Sequence, residues 1–137
     1  MEYAIRYYTK SKKGNTEKIA RFVSEKLGIE ALPVSVPLSE KAETLFLINA
    51  MYAADIDKNV KVFLESNKDN IGCLVNVNSA ASGASTLKAV KKVATKHGIP
   101  VSEKEFHTVA SWIFLNKGRP NEEDFKRLET FLEGFKK

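Results

Sequence analysis

The chain has 137 residues, 43% apolar and 28% charged, with 7 glycines and 4 prolines, the balance of an ordinary globular domain rather than a disordered or fibrous chain. A lone cysteine, Cys73, excludes an internal disulfide framework and a thiolate zinc site. The formal charge of +5 comes from 22 Lys and Arg spread along the sequence, densest at Lys10, Lys12 and Lys13. Without interleaved aromatics they read as a solvated surface rather than a nucleic-acid site.

No apolar run nears the ~20 residues that span a bilayer, and the first residues lack the apolar core of a secretion signal. A reduced, cytoplasmic setting and one domain over 1–137 are therefore expected. Residues 4–8 are rich in β-formers and lead into a polar stretch over 9–15, a first strand and its loop. From Thr16 the apolar residues fall at Ile19, Ala20, Val23 and Leu27, one stripe of a helix stopped by Gly28. Residues 31–36, interrupted by Pro33 and followed by Pro37, suit a short edge strand.

The run over 44–49 is continuously apolar, as in a parallel strand buried on both faces. A loop over 50–57 precedes a helix carrying Val60, Phe63 and Leu64. A second buried strand follows over 71–77, with Cys73 inside it as a small hydrophobe. The small-residue loop 78–85 leads to a helix with Leu87, Val90, Val93 and Ala94, stopped at His97 and Gly98. Residues 105–115 hold a fifth strand, with His107 in or beside it. A last helix over 121–135 turns Phe125, Leu128, Leu132 and Phe135 inward. Strand and helix alternate throughout, the pattern of an α/β domain with a parallel sheet and right-handed crossovers.

Open α/β sheets bind ligands beyond the carboxyl ends of their strands, where the strand order reverses. The loop after the first strand offers Thr9, Ser11, Lys13, Gly14, Asn15 and Thr16 at the start of a helix. Exposed amides and the positive end of the helix dipole attract a phosphate there. The last helix instead opens on Asn121, Glu122, Glu123 and Asp124, whose acids repel an anion. A plain N-cap by Asn15 or Thr16 is the other reading of the first loop.

The stretch from Ser11 to Ala20 resembles the flavodoxin phosphate loop, Ser/Thr-x-Thr-Gly-Asn-Thr followed by a helix with alanine in its second turn. Ser11, Gly14, Asn15, Thr16 and Ala20 match, and Lys13 stands where a hydroxyl residue is usual. The resemblance covers nearly the whole chain, including residues 112–124. It implies a flavodoxin-like three-layer sandwich: a five-stranded parallel sheet in the order 2-1-3-4-5 with helices on both faces. It also implies an FMN anchored by Thr9, Ser11, Lys13, Gly14, Asn15 and Thr16. Met51, Tyr52, Ala53 and Ala54 would lie along the flavin, Tyr52 stacking on it, with Ala54 where relatives often carry the glycine whose peptide turns toward N5. Asn78, Ser79, Ala80, Ser82 and Gly83 would meet the pyrimidine edge.

Tyr52 and the third loop also have plainer readings, a ring packed over the sheet end and a turn capped by Ser82 or Ser85. Trp112 reads as core, with the border of the flavin pocket as its other reading, His97 as a helix-end residue, and His107 has no metal-type spacing. The function implied is electron transfer, or a small flavin-dependent oxidation–reduction, with a redox partner protein or a small acceptor and no catalytic residue or metal of the chain's own. Loss of FMN from a retained fold is the alternative, favoured by Lys13 and Ala54. A receiver domain would need acids where Tyr7 and Tyr8 stand, and a cysteine phosphatase a cysteine in the first loop. Electron-carrier flavodoxins are typically acidic, whereas this chain is basic.

Overall fold

Both faces of the central strands are apolar because both are covered. The computed structural model describes residues 1–10, 14–52, 55–110 and 118–135. Strands β1 (Tyr3–Tyr7), β2 (Ala31–Pro33), β3 (Thr44–Ala50), β4 (Leu74–Ala80) and β5 (Phe106–Val109) pair in parallel, in the order β2-β1-β3-β4-β5. Helices α1 (Asn15–Leu27), α2 (Lys58–Ser66) and α3 (Leu87–Lys96) lie in the crossovers and α4 (Glu122–Glu133) follows β5, with a short 3₁₀ turn at Lys68–Asn70. This is the α/β sandwich and strand order the sequence implies.

Side chains of one strand alternate between two cores. Leu45 and Leu47 pack with Val60, Phe63 and Leu64 of α2 and Val90 and Ala94 of α3. Phe46 and Ile48 join Ile19, Ala20 and Val23 of α1 and Leu128 and Leu132 of α4. Phe46 is wholly buried, a contribution of about 2–3 kcal/mol for a side chain of that size. Helix α1 stops at Gly28, whose φ of 70° is left-handed and whose N–H bonds Ser24 O at 2.9 Å. That is the conformation glycine adopts without strain.

Several boundaries move. Strand β2 is only Ala31–Pro33, because the chain turns at once, with Val36 N–H bonded to Pro33 O at 3.0 Å. Strand β4 lies about three residues later than its apolar run. Ahead of it Gly72 presses on neighbouring backbone, where an added Cβ would sit 2.7 Å from Glu43 O. Cys73 therefore precedes the strand and is half-buried rather than a core residue; burial still pushes its thiol pKa up. At the far end Asn78, Ser79 and Ala80, expected in the loop, continue the ladder opposite Asn49 and Ala50 of β3 and His107 to Val109 of β5. The Asn78 side chain pairs internally, so strand pairing need not end where apolarity does. Trp112 lies outside the described residues. Among the described residues no helix is long and apolar enough to cross a membrane.

Candidate functional site

All five strands point the same way, so the loops after β1, β3 and β4 emerge along one edge of the sheet. The order reverses between β1, which continues to β2 on one side, and β3, which continues to β4 on the other. The register Tyr7 against Ile48 and Ala50 against Ser79 brings the three loops level.

At the first loop, α1 begins on Gly14 as N-cap, in extended conformation, a residue with no side chain of its own to cap the helix. The cap expected of Asn15 or Thr16 is thus replaced: Asn15 is already helical, and Lys18 N–H makes the first helical bond to Gly14 O at 3.1 Å. The other ends differ. Asp57 caps α2 by accepting from Asn59 N–H at 2.8 Å, and α4 carries a full capping box between Asn121 and Asp124. At α3 the N-cap residue, Thr86, makes no side-chain cap either, but Ser85 Oγ just before it accepts from Leu87 N–H. A glycine cap draws no side chain of its own over the amides of the first turn, which point out of the helix. Thr16 is buried at that end, and Thr9 is half-buried beyond β1. Ser11 and Lys13 lie outside the described residues.

Tyr52 links the first and second loops. The Lys10 ammonium stands 4.3 Å from its ring centroid, and Lys10 N–H donates to its hydroxyl at 3.3 Å. Tyr8 meets the ring edge-on at 6.5 Å. Tyr52 and Asp55 exchange two backbone bonds, of 2.8 and 2.9 Å, that pin the base of the second loop. Ala53 and Ala54 lie outside the described residues. Lys10 also reaches Asp57 Oδ2 at 3.8 Å. The Asn59 amide, chiefly, and Lys10 lower the Asp57 pKa against the opposing effect of burial. Met51 N–H bonds Ser79 O at 3.2 Å, tying the second loop to β4.

A buried polar brace underlies the third loop. Asn49 Nδ2 donates to Asn76 Oδ1 at 2.8 Å, and Thr86 Oγ1 donates to Asn49 Oδ1 at 2.7 Å. Asn76 Nδ2 donates to Thr86 Oγ1 at 3.1 Å. Asn78 Oδ1 accepts from Thr86 N–H at 3.0 Å, and Asn78 Nδ2 donates to Ala84 O at 3.0 Å. All four side chains are at most 1% exposed. Buried amides demand such pairing, and here it fixes where α3 starts. The side chain of Asn78 is therefore committed to the loop's own support. Ser79 and Ala80 are buried in the strand, while Ser82 is exposed and accepts from Ala84 N–H at 3.2 Å.

Gly83 takes φ +78°, and an added Cβ would lie 3.0 Å from Val109 Cγ2. His107 Nδ1 is 2.8 Å from Gly83 O, and Ser85 Oγ donates to Glu105 at 2.5 Å, so β5 holds the third loop from its other side. His97 is the C-cap residue of α3. Among the described residues no three His, Cys, Asp or Glu gather into a metal site.

The structure thus brings Thr9, Gly14, Asn15 and Thr16 to the same edge as Met51, Tyr52, Ser82 and Gly83. Sequence reasoning missed Lys10 as the partner of Tyr52, and Asn49, Asn76 and Thr86 as the brace. The asparagines did leave a signal, since 49, 76 and 78 are polar positions on one face of otherwise apolar strands.

A parallel sheet in this order, with three loops emerging at and beside the reversal point, defines a flavodoxin-like fold. The chain aligns over 98% of its length with a short-chain flavodoxin associated with a bacterial microcompartment (97% of that chain, TM-score 0.70, 20% identity). It is similar over 98% of its length to oxidised flavodoxin 2 from Bacillus cereus (97% of that chain, TM-score 0.69, 14% identity). It also matches a flavodiiron core from Synechocystis over 98% of this chain and 35% of that one (TM-score 0.72, 13% identity). No protein-family model and no curated protein matches the sequence.

Proposed function

We propose that the chain binds FMN at the edge where the loops after β1, β3 and β4 meet, and passes electrons between redox partners. One observation carries this reading: α1 opens on an uncapped Gly14 at the reversal point of the sheet, while α2 and α4 carry side-chain caps. The donor set suits a phosphate dianion. Backbone amides of the first turn, the hydroxyl of Thr16 and the polar Ser11, Thr9 and Asn15 would hold it, with Lys13 adding charge. Tyr52, supported by Lys10 and Tyr8, would present its ring to the isoalloxazine, a contact worth about 1 kcal/mol beyond burial. The cofactor, once bound, supplies the electron chemistry; the protein anchors it and shapes its surroundings.

The test is a fluorescence titration comparing FMN with riboflavin. A phosphate-anchored site prefers FMN by about a hundredfold or more, the worth of two charge-assisted hydrogen bonds. Equal affinity for the two, or no quenching of either, rejects the reading.

A further inference from the structure

Charge that looks dispersed along the sequence is sorted by the fold. On the helical layer of α1 and α4, seven acidic residues stand against five basic ones. On the opposite layer, α2 and α3 carry six lysines against the single Glu65, and α3 has no acidic residue at all. Lys88, Lys92 and Lys96 follow one another at four-residue steps, which places them in one row along the helix. The row spans about 12 Å at 1.5 Å per residue.

Across from it Lys61 of α2 completes the rim of an open recess of about 620 Å³, whose lining also includes Met51 and Asp55. Asp55 is bound to Lys61 at 2.8 Å, and Lys91, outside the recess, is bound to Glu103 at 3.0 Å. Among the described residues no ion pair involves Lys88, Lys92 or Lys96. Three exposed cations in a row repel one another, and a partner that neutralises them relieves that repulsion.

We infer that the lysine-lined recess between α2 and α3 is the docking surface for an acidic face of a protein electron carrier. The position supports it. Met51 and Asp55 belong to the loop after β3, so a protein seated on the lysines borders the edge where the candidate cofactor site lies. Charge complementarity of this kind orients the encounter and speeds it. The lining favours protein over nucleic acid: among the described residues no aromatic stands in it for a base to stack on, and Asp55 would face a phosphate backbone. That the partner carries electrons rests on the FMN reading above; that it docks here through acidic groups does not.

The probe is a small acidic [2Fe–2S] ferredoxin, titrated into the ¹⁵N-labelled full chain at low ionic strength. Amide shifts should concentrate on 58–61 and 88–96. Affinity should fall about tenfold or more in K88E/K92E/K96E, and also fall in the neutral K88Q/K92Q/K96Q, which guards against a folding artefact. Reversal of three lysines on the other layer, K18E/K26E/K126E, should change it less than about twofold. Equal losses in the two triple reversals, or shifts centred on α1 and α4, overturn the proposal. So does tighter binding of a single-stranded oligonucleotide than of the ferredoxin. FMN quenching is recorded on the same samples. Docking without flavin binding upholds this surface and sinks the FMN reading, whereas flavin binding without docking does the reverse.

Discussion

Asn76 has no exposed surface and bonds both Asn49 and Thr86 through its amide. Replacing it by leucine, Asn76→Leu, keeps the volume but takes from one Asn49 Nδ2 proton its 2.8 Å partner, the other remaining on Leu47 O, and takes an amide from the Thr86 hydroxyl. A buried polar group left unsatisfied costs about 1–3 kcal/mol, so the variant should lose about 2–3 kcal/mol in a urea melt, with α3 the first helix to lose amide protection. A change below about 0.5 kcal/mol would mean water takes over the missing bonds. Gly83→Ala tests the loop itself. Its left-handed φ and the approach of Val109 both oppose a side chain, predicting a loss of about 1–2 kcal/mol. Neither role could be read from the sequence. Asn49, Asn76 and Asn78 are polar positions on one face of mostly apolar strands, but which atoms they bond depends on a register that only the folded sheet sets.

At the level of the element, α4 depends on Asp124. The carboxylate is 3% exposed and takes bonds from Arg119 at 2.6 and 2.8 Å, from Arg127 at 2.8 Å and from the Asn121 amide at 2.8 Å. The Arg119 bonds, above all, hold its pKa far below the usual carboxylate range. A group whose folded pKa is depressed contributes stability in full above its unfolded value, and that stability drains away as the pH falls through and below it. Thermal stability should therefore decline more steeply below about pH 4 in the native chain than in Asp124→Asn. At neutral pH Asp124→Asn should cost about 3 kcal/mol, toward the lower end for a broken buried pair because both arginines reach solvent. Identical acid limbs for the two proteins would show that other carboxylates govern the transition.

The acidic start of α4 was plain in the sequence, as were the apolar stripes of α1, α2 and α3 and the order of the elements, whereas the capping box of α4 was not. Strand limits were not. Apolarity marked 71–77, but pairing placed β4 at Leu74–Ala80, because a ladder continues wherever polar side chains find partners inside the fold.

For the molecule as a whole, alternation pointed to a parallel α/β domain and the crossover rule narrowed its topologies, while the strand order came with the resemblance to flavodoxins carried by one local motif. The separation of charge did not follow, because it depends on which helices share a layer. It has a consequence for the proposed redox role. Reduction adds negative charge to a bound flavin, and a chain of net charge +5 stabilises that charge by Coulomb attraction, raising the midpoint potential. The lysines responsible lie on exposed helices, so salt screens them, with a Debye length of about 10 Å at 0.1 M. Increasing ionic strength should then lower the potential of the FMN-loaded protein, whereas the same titration on an acidic carrier raises it. Charge reversal at Lys88, Lys92 and Lys96 should lower the potential at low salt and flatten its salt dependence, with FMN affinity little changed because these side chains lie away from Gly14 and Thr16. Spectroelectrochemistry at two salt concentrations decides the matter: a potential that rises with salt in the native chain would show that local groups around the flavin, not the lysine layer, set the field it feels.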